Sequence, residues 1–118
     1  MVRFLVRNPI RDRWKDYLRM QKLTVVLSAI AEDVAKEKSG LQRRYEAAMA
    51  EAAFSMNALE DPNVATARPA TVDGMSDSLD RYSRRISQLE GQIAFFDEIQ
   101  ARVQRFMQDN GIDAATQG

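Results

Sequence analysis

The stretch LDRYSRRISQLEGQIAFFDEIQARVQRFM, residues 79–107, decides the fold. Leu79, Tyr82, Ile86, Leu89, Ile93 and Phe96 recur at alternating intervals of three and four, and Val103 and Met107 keep the register. That interval is the period of a helix burying one narrow stripe against a neighbour. An equivalent stripe lies upstream in Leu23, Leu27, Ile30, Val34, Leu41, Tyr45, Ala48, Ala52, Met56 and Leu59. The predicted arms, 23–59 and 74–110, hold 37 residues each, about 55 Å of helix. Equal arms joined by one loop can pair along their whole length when antiparallel. The predicted fold class is all-α: a long antiparallel, coiled-coil-like helical hairpin, with a short third N-terminal helix as its variant.

The joins support that layout. Between the arms, DPNVATARPATVDG (61–74) is rich in small and turn-forming residues and has no helical period, so residues 60–73 are read as loop. Pro62 cannot continue the first helix, and Asp73 or Ser76 is suited to capping the second. Asn8-Pro9 is a start signal, because the Asn side chain accepts from free amides and Pro lacks only a donor the first turn leaves unused. Gly111 suits a left-handed helix end, with Ile112 folding back on Met107 and the remainder of 111–118 a flexible tail. Ser39-Gly40 looks like a break, yet Val34, Leu41, Tyr45 and Ala52 keep within about 40° of one another across it. The first helix is therefore expected to run through Gly40. The alanines from Ala47 to Ala53 suit close helix packing, and Met20, Met49, Met56, Met75 and Met107 suit gap filling.

Composition narrows the chemistry. The 118 residues make one domain, 45% apolar and 29% charged, which sets the chain apart from a disordered tail. It has no cysteine and no histidine, hence no thiolate ligand, no imidazole base and no Glu-x-x-His di-iron motif. Neither a phosphate-cradling glycine loop nor a nucleophile motif occurs. The acidic pairs Glu32-Asp33 and Asp97-Glu98 are expected on solvated faces. Accordingly, no catalytic, cofactor-binding or metal-binding residues are expected. The longest apolar run, Leu23 to Ala31, contains Thr24 and Ser28 and falls well short of the ~20 residues of a membrane span. A cytoplasmic protein is expected, unless it is exported without a cleavable signal.

Contacts are expected where apolar side chains exceed what one seam can use. Residues 1–22 carry seven basic groups, Arg3, Arg7, Arg11, Arg13, Lys15, Arg19 and Lys22, against Asp12 and Asp16, although the whole chain has net charge zero. Within this basic segment Ile10, Trp14, Tyr17 and Leu18 share a face turned about 150° from the seam. Arg11, Lys15, Arg19 and Lys22 can border it. The segment has no matching arm, so it either folds back after a break near Met20 or projects to a partner. On the second helix the apolar arc widens from about 80° to about 160° once Phe95, Ile99 and Phe106 are included. Opposite them on the first arm, Val25 and Val26 lie off the stripe. This surplus, beside the basic segment, is the candidate partner interface.

Apolar burial along one seam falls short of what ordering two long arms costs, so self-association or a permanent protein partner is expected. The architecture resembles helical hairpins of secretion, filament and phage-type assemblies, a likeness carried by the heptad pattern alone. The functional expectation is a structural or adaptor protein acting through protein–protein interaction as a homo-oligomer or on a partner. A membrane-peripheral adaptor anchored by residues 1–22 is the alternative. Nucleic acid is disfavoured by Asp12, Asp16 and a sequence pI near 6.3.

Overall fold

A computed structural model describes residues 8–59 and 69–114. Two helices account for nearly all of them, α1 over Pro9–Leu59 and α2 over Pro69–Asp109, and no strand occurs among the described residues. They pair as an antiparallel coiled-coil-like hairpin.

Local chemistry explains both outer ends. The Asn8 side-chain oxygen accepts from the amides of Ile10 (3.1 Å) and Arg11 (3.3 Å), satisfying donors that have no partner inside α1. At the other end, Gly111 sits at φ 63. The Ile112 amide then reaches the Met107 carbonyl (2.8 Å) and the Gly111 amide reaches that of Gln108 (3.3 Å). These two bonds form a Schellman motif, and they turn Ile112 inward, where it is buried. The expected fold-back is present, and Ile112 therefore belongs to the core rather than to a flexible tail.

Three boundary readings need correction or qualification. The second helix begins at Pro69, not near Gly74, since Pro preset at the first helical position starts a helix readily and nothing from Ala70 to Asp73 stops one. The remainder of the expected loop, 60–68, lies outside the described residues. The first helix is continuous from Pro9 through Met20 and Gly40, so residues 9–22 do not fold back as a third helix. Gly40 tolerates this position sterically: a methyl added there would meet only the Arg43 guanidinium, at 3.9 Å.

The hairpin divides into two compact units. Unit 1 combines Met1–Glu32 with Ala94–Gly118; its buried apolar side chains are Leu27 and Ile112. Half-buried Met20, Ala31, Phe96, Val103 and Met107 fill in around them. Unit 2 is Asp33–Ile93, centred on Leu89, which is 0% exposed, and on buried Val34. Tyr45, Ala48, Ala52, Tyr82, Ile86 and Ile93 are half-buried beside them. Not all of the predicted seam is covered. Leu23, Ile30 and Met56 are exposed, and the side chain of Leu59 lies outside the described residues. The reason is angular: Ile30 follows Leu27 by three residues and so leans about 60° to one flank, as does Leu23.

Candidate interaction surface

Unit 2 seals its seam with charge. Arg85 donates to Glu37 through Nε (2.8 Å to Oε2) and Nη2 (3.2 Å to Oε1), while its Nη1 donates to Gln88 Oε1 at 3.2 Å. Lys38 Nζ lies 3.6 Å from Glu90 Oε2. The paired hydrogen bonds from Arg85 hold the Glu37 carboxyl below the usual carboxylate range, and Glu37 in turn raises Arg85. An open groove of about 360 Å³ is lined by Gln42, Tyr45, Glu46, Ser83, Ile86, Ser87 and Glu90. It presents the hydroxyls of Tyr45, Ser83 and Ser87 and the carboxylates of Glu46 and Glu90.

Unit 1 is finished differently. Its helices are linked by a neutral hydrogen bond from Gln100 Nε2 to Ser28 Oγ at 3.4 Å. That bond marks one side of the helix pair. At about 100° per residue, Leu23, Val26 and Ile30 point to the other side of α1, and Phe95, Ile99 and Phe106 to the same side of α2. Together they make one apolar face. Val26 is 54% exposed, Phe95 57% and Phe106 52%. Ile99 is half-buried between the two rings. Phe95 is tied to the seam through a tilted contact with Phe96, centroids 5.8 Å apart.

Of the expected partner residues, Val26, Phe95, Ile99 and Phe106 thus lie on one side of the unit. Val25, however, follows one residue before Val26 and is turned about 100° away, so it is exposed on another side. Leu23 and Ile30, which satisfy the seam spacing, are instead exposed on the Val26 side. Phe54 is 77% exposed in unit 2, and the same angular arithmetic puts it far from the Tyr45–Ala52 stripe.

The N-terminal contact segment is only partly free. Trp14 and Tyr17 stack at 5.3 Å with planes 15° apart, both half-buried, and Ile10 and Leu18 are exposed beside them. Arg11, Lys15, Arg19 and Lys22 are exposed, and Arg19 Nη1 pairs with Asp16 Oδ1 at 3.3 Å. The expectation that this segment has no arm to pair with is incorrect. Arg13, Asp16 and Met20 line a pocket of about 320 Å³ together with Phe106, Asn110 and Ile112. The Schellman turn supplies this extra contact, adding a buried side chain past the last residue of α2.

Among the described residues no group of three or more acidic side chains is placed to hold a metal ion. No helix there is long and apolar enough to cross a membrane. No protein-family model, curated protein or solved structure matches the chain.

Proposed function

We propose that this chain is a non-enzymatic structural or adaptor protein that works by association, with itself or with a partner protein, in a cytoplasmic assembly of the secretion, filament or phage type. The observation that carries the reading is the exposed face of Leu23, Val26, Ile30, Phe95 and Phe106 in unit 1. Grouped exposed aromatics are uncommon on monomers, because apolar area left in water forgoes about 25 cal/mol per Å² of possible burial.

The test compares wild type with Phe95→Glu/Phe106→Glu by light scattering and circular dichroism. Lower molar mass or loss of a co-purifying protein, with helix content retained, supports the reading. Unchanged mass and unchanged associations overturn it.

A second reading, a membrane-peripheral adaptor anchored by residues 1–22, draws on exposed Ile10 and Leu18 flanking the Trp14–Tyr17 stack beside Arg11 and Lys15. Amphipathic basic helices of this kind lie in anionic bilayer interfaces. Co-sedimentation with anionic vesicles that disappears when Trp14 and Arg19 are replaced would favour it. Failure to co-sediment at low salt removes it.

A further inference from the structure

We infer that the occupant of the unit 1 apolar face is a second copy of the same chain, turned antiparallel, so that two hairpins form a four-helix pair about a two-fold axis near Gln100. The inference rests on the association reading above and adds the partner and its direction.

Three observations converge on it. First, the residues on this face of α2 are arranged symmetrically about Gln100. Phe95 and Phe106 lie five residues before it and six after, and Glu98 and Arg102 two before and two after. A two-fold axis crossing the helices there would bring Phe95 of one copy over Phe106 of the other, and the reverse. It would likewise bring each Arg102 to the other copy's Glu98. An isologous interface needs this self-complementarity.

Second, Glu98 and Arg102 are exposed at the rim of the face, and neither is ion-paired among the described residues. On α1 the same axis passes near Ser28, which bonds Gln100. It therefore brings Val26 of one copy toward Ile30 of the other, apolar on apolar.

Third, charge selects the direction. Lys22 and Leu23 of α1 stand near the level of Arg105 of α2, judged from the Ser28–Gln100 bond. A parallel stack would set Lys22 of one copy beside Arg102 and Arg105 of the other, and like-charge juxtaposition disfavours a binding mode. The antiparallel stack separates these cations and gives Arg102 a carboxylate.

The chain has no cysteine, so single cysteines report contact without background. Ile99→Cys, one residue from the proposed axis, should oxidise to a covalent dimer, since a disulfide needs Cα atoms within about 7 Å. Ala101→Cys, exposed at nearly the same level but on the far side of α2, should not. By sedimentation, Arg102→Glu should raise the dimer Kd about tenfold or more, and Glu98→Arg/Arg102→Glu should return it toward wild type. A dimer in which Ala101→Cys oxidises as readily as Ile99→Cys, or in which the charge swap fails to restore affinity, overturns the antiparallel face while leaving association intact. A monomer at every accessible concentration overturns the second copy as occupant. The Phe95/Phe106 comparison then decides separately whether the association reading survives. Circular dichroism on each variant checks that helix content is retained.

Discussion

The two units of one hairpin are built from the same kind of helix pair and finished in opposite ways. Unit 2 buries Leu89 completely and joins its helices by the Glu37–Arg85 and Lys38–Glu90 pairs. Unit 1 joins its helices at Ser28–Gln100 and leaves Phe95, Phe106, Val26 and Ile30 in water. Exposed ion pairs contribute little energy, but they make a surface that a further apolar layer would have to desolvate. A neutral link beside open apolar side chains carries no such penalty. On the association proposed above, unit 1 is the side on which a further layer can be added at least cost.

The comparison can be broken most forcefully at Leu89. Leu89→Glu places a carboxylate where no water reaches, at a cost of several kcal/mol (~3 or more), and helix content by circular dichroism should collapse. Phe95→Glu/Phe106→Glu introduces the same chemistry on unit 1 and should change mass or partners with helix content nearly unaltered. If it unfolds like Leu89→Glu, the contrast between the units is wrong.

Glycines give a smaller, signed version. Gly40→Ala and Gly91→Ala have room for a methyl within α1 and α2, so each should raise stability by about 0.5–1 kcal/mol in thermal melts. Gly111→Ala also has room, yet its left-handed φ makes it costly by about 1 kcal/mol.

The smallest effect should come from acid. The Glu37 carboxyl titrates below its ordinary range in the folded chain, so its contribution is present above the ordinary carboxylate pKa. That contribution is lost as pH falls through the depressed value. Glu37→Gln should therefore melt slightly lower than wild type at neutral pH, and the gap should close on acidification. A gap that widens instead would show that Arg85 does not stabilise the carboxylate.

Periodicity alone identified the hairpin, because a seam is a local, repeating demand on each helix. The stripe through Leu89 and the phase across Gly40 needed no knowledge of the partner arm. The caps at Asn8 and Gly111 were equally readable, since they depend on a few adjacent residues. What misled was register between arms. Asp16 and Met20 share a pocket with Phe106, Asn110 and Ile112; the Schellman turn brings Ile112 back into it, and the stripes do not encode that extension. Leu23 and Ile30 also satisfy the seam spacing while leaning to its flank, so they were counted as core. The aromatic surplus at Phe95 and Phe106 was visible in the width of the apolar arc, but its company on α1 became clear only once Ser28 and Gln100 fixed which sides align.

The turn at Gly111 has a consequence for how the end of α2 breathes. A helix terminus ordinarily frays, and its final amides exchange with solvent deuterium almost as fast as those of an unstructured peptide. Here the Gly111 and Ile112 amides are both bonded to carbonyls of the last turn, and the Ile112 side chain is held inside unit 1. Opening that turn requires lifting a buried isoleucine out of its contacts. Deuterium uptake at these two positions should accordingly lag behind that of an unstructured peptide of the same sequence, marking a latch at the last described turn of the chain.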